Sequence, residues 1–293
     1  MDLAIDGGQT GLRLGLAERG RIKEIRELPG LSYAEGPPVK AVLERIGTGW
    51  GELGTVCLGL TTILDDADAL AGHLLRIARR VLITTDVVTS HAGAFAGGKG
   101  VVLAAGTGAI ALGVGDDIRQ VDGWGYLYGD AGSGFWIGRR GLDAACRGFD
   151  GRAEPGPLTQ RAQDVFGDLA GLPERLYLAP DAVARIARFA VHVLELAEDS
   201  TARAIAEEAA RELAGTVAAA ARCFPEGTVV PVAWTGRLLR DAGLRAGFEA
   251  ELPRLLPRAA LRPPVGDSLA GAALLAASAV PGHYQTMIRT AER

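Results

Sequence analysis

The residues with the clearest chemical potential lie in a glycine-rich turn near the start of the chain. Asp6 ends a short apolar strand, and the segment Gly7 to Thr10 that follows contains two glycines and a threonine. Glycines free a turn to point backbone N–H groups at an anion, and a threonine hydroxyl adds a donor. Phosphate could bind there, with Asp6 holding a hydrated Mg²⁺ beside it, because magnesium keeps waters and takes few carboxylates. Taken alone, the pattern fits a simple hairpin turn equally well.

A second turn of the same kind follows the apolar strand Val101 to Ala105. It runs from Gly106 to Gly108 and leads into Ala109 to Val114, in which large apolar residues alternate with small ones. The glycine spacing also satisfies the dinucleotide fingerprint, but that fingerprint must open a helix. Because the alternation predicts a strand, we favour two hairpins that hold a polyphosphate from either side.

Between the two turns, an apolar strand ends in a carboxylate at Asp86. The segment Ile83 to Asp86 leads directly into a predicted helix, and substrate sites favour the carboxyl ends of strands. A carboxylate there could accept the proton of a hydroxyl that attacks a γ-phosphate. The alternative is that Asp86 only caps the helix. Beside two phosphate turns, the general-base interpretation is favoured.

The densest segment is Gly123 to Gly138, in which glycines and a serine are interleaved with aromatic residues. The pattern predicts a tightly folded loop that presents backbone groups and Asp130 to a polar ligand and enters a helix near Ser133. The alternative is an aromatic-lined packing loop, since glycine and aromatic residues also mark close packing.

Alternating and helical periodicities predict the elements that position these residues. The same succession of an apolar strand, a glycine-threonine turn and a second apolar strand occurs twice, at Leu3 to Leu16 and at Val101 to Val114. This repeat suggests a duplicated α/β fold. The predicted strands are Leu3–Ile5, Leu12–Ala17, Ile22–Glu27, Val56–Leu60, Val81–Thr84, Val101–Ala105, Ala109–Val114 and Val229–Trp234. The predicted helices are Val39–Ile46, Asp66–Arg79, Asp181–Leu196, Ser200–Arg222 and one from Ser268.

Composition limits the classes of protein and of partner. The chain has 293 residues, 48% of them apolar and 23% charged, which suffices for a large core and two domains. The formal charge of −4 leaves no basic excess for nucleic acid or anionic lipid. The first residues include acidic side chains, whereas a secretory signal begins with basic ones. The apolar stretch Leu269 to Val280 is shorter than the roughly 20 residues that are needed to cross a bilayer. We therefore expect a cytoplasmic protein that binds small molecules.

The cysteines and histidines offer no metal or disulfide framework. Cys57, Cys146 and Cys223 are far apart and odd in number, and the four histidines lack a ligand spacing. We predict ordinary reduced thiols.

Together these motifs resemble the N-acetylglucosamine kinases, which group with the BadF/BadG/BcrA/BcrD-type ATPases. The order and spacing agree, and the resemblance extends from Asp6 to the helix around Gly271. The segments that carry it are Leu82–Asp86, Gly100–Leu103, Gly106–Gly108, Gly123–Gly125, Gly129–Asp130 and Gly132–Ser133.

The resemblance implies an α/β fold of two actin-like, ribonuclease H-like ATPase domains with a nucleotide and substrate cleft between them. It also implies an ATP-dependent sugar kinase that uses Mg²⁺ and transfers the γ-phosphate to a sugar hydroxyl, expected to be the 6-hydroxyl. The implied roles are catalytic base and sugar contact for Asp86; nucleotide contacts for Gly8, Thr10, Gly106, Thr107, Gly108 and Gly236; sugar contacts for Gly123, Trp124, Gly125 and Asp130; and magnesium contact through water for Asp6.

Three positions depart from the family pattern. The sugar-contacting asparagine of the family is replaced, at Ala34, and polar residues after the second turn are replaced by Ala109 and Ile110. Each lost hydrogen-bond partner costs about 1 to 3 kcal/mol of discrimination if the same sugar binds. The acceptor sugar is therefore left open, and an ATP-dependent switch or regulator that does not phosphorylate sugar is the alternative function. An iron–sulfur activator of the wider family is disfavoured because Cys146 stands alone.

We expect a domain boundary near residue 114, with residues 1–114 carrying the first turn and the candidate base. Residues 115–293 would carry the sugar loop, Gly123 to Gly138, and the stretch Ala233 to Gly236, which resembles the adenosine motif of the family except that Arg237 replaces its second glycine. The last helix would pack back on the N-terminal domain. The expected partners are ATP, a sugar and a second copy of the chain in a homodimer.

Overall fold

The computed structural model describes residues 1–8, 11–30, 38–61, 64 and 66–293, and the following elements lie within those ranges. The strands are β1 (Asp2–Gly7), β2 (Leu12–Glu18), β3 (Arg21–Leu28), β4 (Leu53–Leu60), β5 (Ala78–Thr85), β6 (Gly100–Ala105), β7 (Ala109–Val114), β8 (Ile118–Asp122), β9 (Val230–Thr235), β10 (Ala259–Leu261) and β11 (Arg289–Glu292). The helices are α1 (Pro38–Ile46), α2 (Ala67–Leu74), α3 (Asp86–Phe95), α4 (Gly134–Phe149), α5 (Pro157–Phe166), α6 (Leu172–Tyr177), α7 (Ala182–Glu195), α8 (Ser200–Ala220), α9 (Ala242–Leu255) and α10 (Ser268–Ala277).

Contacts within the chain divide it into two compact units. Unit 1 comprises Met1–Val102, Val114–Ile118 and Leu261–Arg293, and unit 2 comprises Leu103–Gly113 and Arg119–Ala260. The predicted domain boundary near residue 114 stays a prediction.

The sheet of unit 1 has the order β11-β5-β4-β1-β2-β3. The meander β1 to β3 is antiparallel, whereas β1 and β5 both run parallel to the central strand β4. Gly7 pairs with Leu60, and Leu60 pairs with Thr85, so three parallel strands end at the same level. The residues that follow these strands therefore share one edge of the sheet.

Apolar burial explains why unit 1 folds in this way. Strand β4 is buried along almost its whole length, as expected for a central strand covered on both faces, whereas β3 is largely exposed at the edge of the sheet. Helices α3 and α10 approach closely because two glycines leave room. A Cβ added to Gly93 would collide with the carbonyl oxygen of Asp267, and one added to Gly271 would collide with that of Thr89. This packing fixes the helix that begins with Asp86.

The second sheet, most of which belongs to unit 2, has the order β10-β9-β6-β7-β8. Read from the opposite end, the second sheet runs β8-β7-β6-β9-β10. The first sheet runs β3-β2-β1-β4-β5 before its last strand, β11, so the two orders match strand for strand, as expected for a duplicated fold. Helices α4, α7 and α8 pack together in unit 2, with Phe189 and Leu213 almost completely buried. The predicted repeat therefore corresponds to a repeated strand order.

One predicted helix is wrong in length. The expected helix from Asp66 to Arg79 ends at Leu74, and Ala78 already belongs to β5. No glycine or proline after Leu74 signals the end of the helix. The boundary is set by strand pairing instead, because β5 pairs in parallel with β4 from Ala78, opposite Leu53, onward. The sequence patterns also missed the strands β8, β10 and β11 and the helices α5, α6 and α9.

Candidate active site

The first glycine turn lies at the shared carboxyl edge of the sheet in unit 1. The N–H of Gly8 donates to the carbonyl oxygen of Gly11 at 2.9 Å, which closes the turn after β1. Gln9 and Thr10, and likewise Ala34, lie outside the described residues. The antiparallel pair of β1 and β2 is thus followed by one further backbone bond at Gly8, and a phosphate contact through Thr10 stays a prediction.

Thr61 connects this turn to the candidate base, and the sequence patterns did not single it out. It follows β4, its N–H donates to the carbonyl oxygen of Gly7 at 2.9 Å, and its Oγ1 lies 3.0 Å from the same oxygen. The same Oγ1 lies 3.2 Å from Oδ2 of Asp86. The sequence signal that could have identified Thr61 is its position directly after a predicted buried strand.

Asp86 is the first residue of α3, at the end of β5. The N-cap position belongs to Thr85, which makes no side-chain capping bond, so Asp86 is not the cap that the alternative interpretation required. Burial, followed by the negative charge of Asp6, raises the pKa of Asp86 from 3.8 to about 6. The residue stays half-buried, so that a substrate hydroxyl can reach its carboxylate. A general base needs both properties.

Asp6 is held by two residues, which donate three hydrogen bonds to its two oxygens. Oδ2 accepts from Nε and an Nη of Arg13 at 3.0 and 2.6 Å, and Oδ1 accepts from Oγ of Ser268 at 2.8 Å. Oδ1 has a further lone pair, so Asp6 can still accept a hydrogen bond from a hydrated cation. The described residues contain no group of three or more metal-ligating side chains. A single carboxylate fits magnesium held through water better than a protein cage, and the magnesium contact stays a prediction.

Arg13 links Asp6 to the start of α10. Its other Nη lies 2.6 Å from Oδ2 of Asp267, the N-cap residue of that helix. The next residue, Ser268, lies within 2.7 Å of Oγ1 of Thr89, and that hydroxyl is 3.0 Å from the carbonyl oxygen of Asp86. The polar network thus connects the Asp6 carboxylate with the backbone carbonyl of Asp86 through residues that the sequence patterns did not identify.

The second glycine turn follows β6 in unit 2. The N–H of Gly106 donates to the carbonyl oxygen of Gly108 at 2.9 Å. Gly236 follows the neighbouring strand β9 with φ of 91°, and a Cβ there would collide with the backbone of Ala105. Only glycine tolerates both the left-handed conformation and the close approach. The structure therefore brings Gly236 beside the turn, and because β7 is a strand the dinucleotide alternative lacks its helix.

Asp130 lies directly against this turn. Its Oδ1 accepts the N–H of Ala109 at 3.2 Å, and a Cβ on Gly108 would lie 2.8 Å from its Oδ2. Burial, with a smaller contribution from the charge of Asp122, raises the pKa of Asp130. The predicted sugar contact is thus also a neighbour of the predicted phosphate turn.

The glycine-aromatic loop and the start of α4 enclose the turn from another side. The N–H groups of Gly134 and Phe135 donate to the carbonyl oxygens of Gly106 and Thr107 at 2.9 and 3.0 Å. Trp124 is 75% exposed and, together with Tyr128, lines a cavity of about 380 Å³. An exposed aromatic residue beside a cavity suits a sugar, which has an apolar ring face.

The structure therefore brings the predicted site residues together in two groups. Unit 1 holds Asp6, Gly8 and Asp86; unit 2 holds Gly106, Thr107, Gly108, Gly123, Trp124, Gly125, Asp130 and Gly236. Their roles stay predictions, as does the homodimer.

Two α/β units with matching strand orders and a glycine turn after the first strand of each meander form the repeated arrangement of the actin-like fold. A ROK hexokinase from Thermus thermophilus shares the fold, with a TM-score of 0.54 over 93% of this chain and 96% of its own at 18% identity. Residues 36–276 match the model of the BadF/BadG/BcrA/BcrD ATPase family. The chain belongs to that family.

Two relatives are more similar. A proposed N-acetylglucosamine kinase from Chromobacterium violaceum is 28% identical, with a TM-score of 0.74 over 94% of this chain and 98% of its own. An N-acetylmuramic acid/N-acetylglucosamine kinase from Clostridium acetobutylicum is 27% identical over 237 residues, which cover 72% of this chain and 76% of the relative. The predicted family, fold class and enzyme class are confirmed. In the ranges that the structure describes, every helix is too short or too polar to span a membrane.

Proposed function

We propose that the protein transfers the γ-phosphate of ATP to a hydroxyl of an aminosugar, with the 6-hydroxyl as the expected acceptor and Asp86 as the general base. The observation that carries this proposal is the position of Asp86. Its carboxylate lies at the strand edge beside the Gly8 turn, where its pKa of about 6 leaves it ionised at neutral pH and still basic enough to accept a proton.

The acceptor hydroxyl would donate its proton to the Asp86 carboxylate as its oxygen attacks phosphorus. Phosphoryl transfer depends mainly on alignment and electrostatic stabilisation, so the base chiefly has to orient the hydroxyl. Thr61 supports this orientation, because its hydroxyl lies within hydrogen-bond distance of both Gly7 and Asp86.

Membership of an ATPase family supports ATP as the phosphoryl donor. The backbone of the two glycine turns would contact its phosphates. Asp6 would hold Mg²⁺ through water, while Arg13 and Ser268 fix the direction of its carboxylate. When bound, the metal neutralises charge on the phosphoryl oxygens.

The names of the two relatives support an N-acetylated aminosugar as the acceptor. Asp130 would accept a hydrogen bond from the sugar, and Trp124 would pack on its ring. Ile110 does not replace the polar contacts of the family, because it packs beneath the loop, with its Cδ1 2.5 Å from where a Cβ on Gly123 would stand. The sugar must therefore be recognised mainly by the loop residues.

The test measures ADP release with a panel of hexoses and N-acylated aminosugars. The wild type should release ADP only with a subset of the aminosugars. Asp86→Asn should bind ATP nearly as well and lose about 10²- to 10⁴-fold in sugar-dependent turnover.

The matched control is Asp66→Asn at the start of α2, which should keep full turnover. Retained turnover in Asp86→Asn would remove Asp86 from the mechanism. If the wild type binds ATP tightly but no sugar stimulates ADP release, the protein is instead an ATP-dependent switch.

A further inference from the structure

The loop that carries Asp130 is held by a carboxylate that the sequence patterns did not single out, that of Asp122, which also lines the cavity beside Trp124. Asp122 ends β8, and its Oδ1 accepts the N–H of Asp130 at 2.8 Å while its Oδ2 accepts the N–H of Ala131 at 3.0 Å. One side chain therefore holds two consecutive backbone amides. Hydrogen bonds to an ionised acceptor are about twice as strong as neutral ones.

The backbone conformation of the loop depends on this contact. Asp122 and Asp130 have φ of 59° and 56°, in the left-handed region that residues other than glycine adopt only when their surroundings impose it. Gly129 leaves the necessary space, because a Cβ there would collide with Oδ1 of Asp122. The carboxylate thus packs directly against the loop backbone.

The same loop holds the second phosphate turn. Ala109, which follows the turn, donates its N–H to Oδ1 of Asp130 at 3.2 Å and accepts from the N–H of Gly123 at 3.1 Å. Both backbone polar groups of Ala109 are therefore bound by loop residues. A displacement of Asp130 must also displace the end of the turn.

We propose that Asp122 is a positioning residue that couples the sugar loop to the turn Gly106–Gly108, so that aminosugar binding and nucleotide binding strengthen one another. This inference rests on the proposed function. Asp122 acts through Asp130 and Ala109 and does not itself contact the reacting atoms. Because coupling between two ligands is reciprocal, a single ratio of affinities measures it.

The experiment is calorimetric titration of ADP in the absence and presence of a saturating acceptor aminosugar. The wild type should bind ADP at least about fivefold more tightly with sugar, the lower end of typical couplings. In Asp122→Asn the ratio should fall to near one, because the amide has one acceptor oxygen and turns its NH₂ toward a backbone N–H. Asp122→Ala, which removes both acceptor oxygens without turning an NH₂ toward the loop, should lower the ratio to the same extent.

The control is Asp199→Ala, which removes a carboxylate that accepts the N–H of Ala202 at 2.9 Å at the start of α8, away from the loop. It should lower stability while keeping the wild-type ratio. An unchanged ratio in Asp122→Asn, an equal loss of ratio in Asp199→Ala, or failure of both Asp122 variants to fold would each overturn the proposal. If the wild type phosphorylates an aminosugar but binds ADP equally well with and without it, the coupling alone is overturned. If the wild type neither binds nor phosphorylates any aminosugar, the proposed function is overturned as well.

Discussion

Asp86→Asn should stabilise the protein while it abolishes turnover. The pKa of Asp86 rises from 3.8 to about 6 on folding, with burial as the main cause. At about 1.36 kcal/mol per pKa unit, ionised Asp86 destabilises the native state by about 3 kcal/mol at neutral pH and above. The amide removes this cost but weakens the hydrogen bond from the Val87 N–H, at about 1 kcal/mol. The expected net gain is about 2 kcal/mol.

The gain must depend on pH with a defined sign. Because the native pKa lies above the unfolded one, the native state binds the extra proton between them, so the destabilisation grows as pH rises from about 4 through about 6. At about pH 5 the cost is about 1.6 kcal/mol, and the net gain from the amide falls to about 0.5 kcal/mol.

Urea unfolding of the ligand-free protein at about pH 5 and about pH 8 measures both values. Asp66→Asn is the matched control, because its exposed side chain caps α2 through the Ala69 N–H and asparagine caps equally well. Its stability change should be small and equal at both pH values. Destabilisation of Asp86→Asn at about pH 8 would mean that the charge at the start of α3 is favourable, and the argument from burial would be wrong.

Two further predictions test the base and the nucleotide turn. The pH profile of kcat/KM should fall on the acid side with an apparent pKa of about 6, because protonated Asp86 cannot accept the hydroxyl proton; a profile flat down to about pH 5 would contradict this. Gly236→Ala should cost about 1 to 3 kcal/mol of stability and raise the KM for ATP more than that for sugar, because its methyl group meets Ala105 at a φ of 91°. Gly72→Ala, at an open position of α2, is the control and should stabilise by about 0.5 to 1 kcal/mol in urea unfolding.

Local patterns predicted the parts of the site that lie at the ends of strands. Asp86 follows a buried strand and begins a helix, and both features are visible within about ten residues of sequence. The glycine turns and Asp130 are equally local. Most of the longer helices and strands were predicted for the same reason, because their apolar periodicity can be read from consecutive residues.

The missed residues depend on contacts across the chain. Ser268 is 262 positions from Asp6, and Thr61 is 25 positions from Asp86. The parallel register of β1, β4 and β5 brings Thr61 to the edge that carries Asp86, and the close packing of α10 against α3 brings Ser268 there. Both are properties of the folded chain. The end of α2 was missed for a similar reason, since pairing of β5 with β4 stops a helix that local propensity would continue.

The contact between Asp6 and Arg13 explains how two carboxylates can share one strand edge. The negative charge of Asp6 raises the pKa of Asp86, and an uncompensated neighbour would raise it further. Arg13, with its guanidinium 2.6 Å from Asp6 and also paired with Asp267, offsets part of that charge. Asp86 can therefore remain ionised near neutral pH while staying more basic than a solvated aspartate. Loss of the Arg13 contact is therefore expected to raise the pKa of Asp86 further.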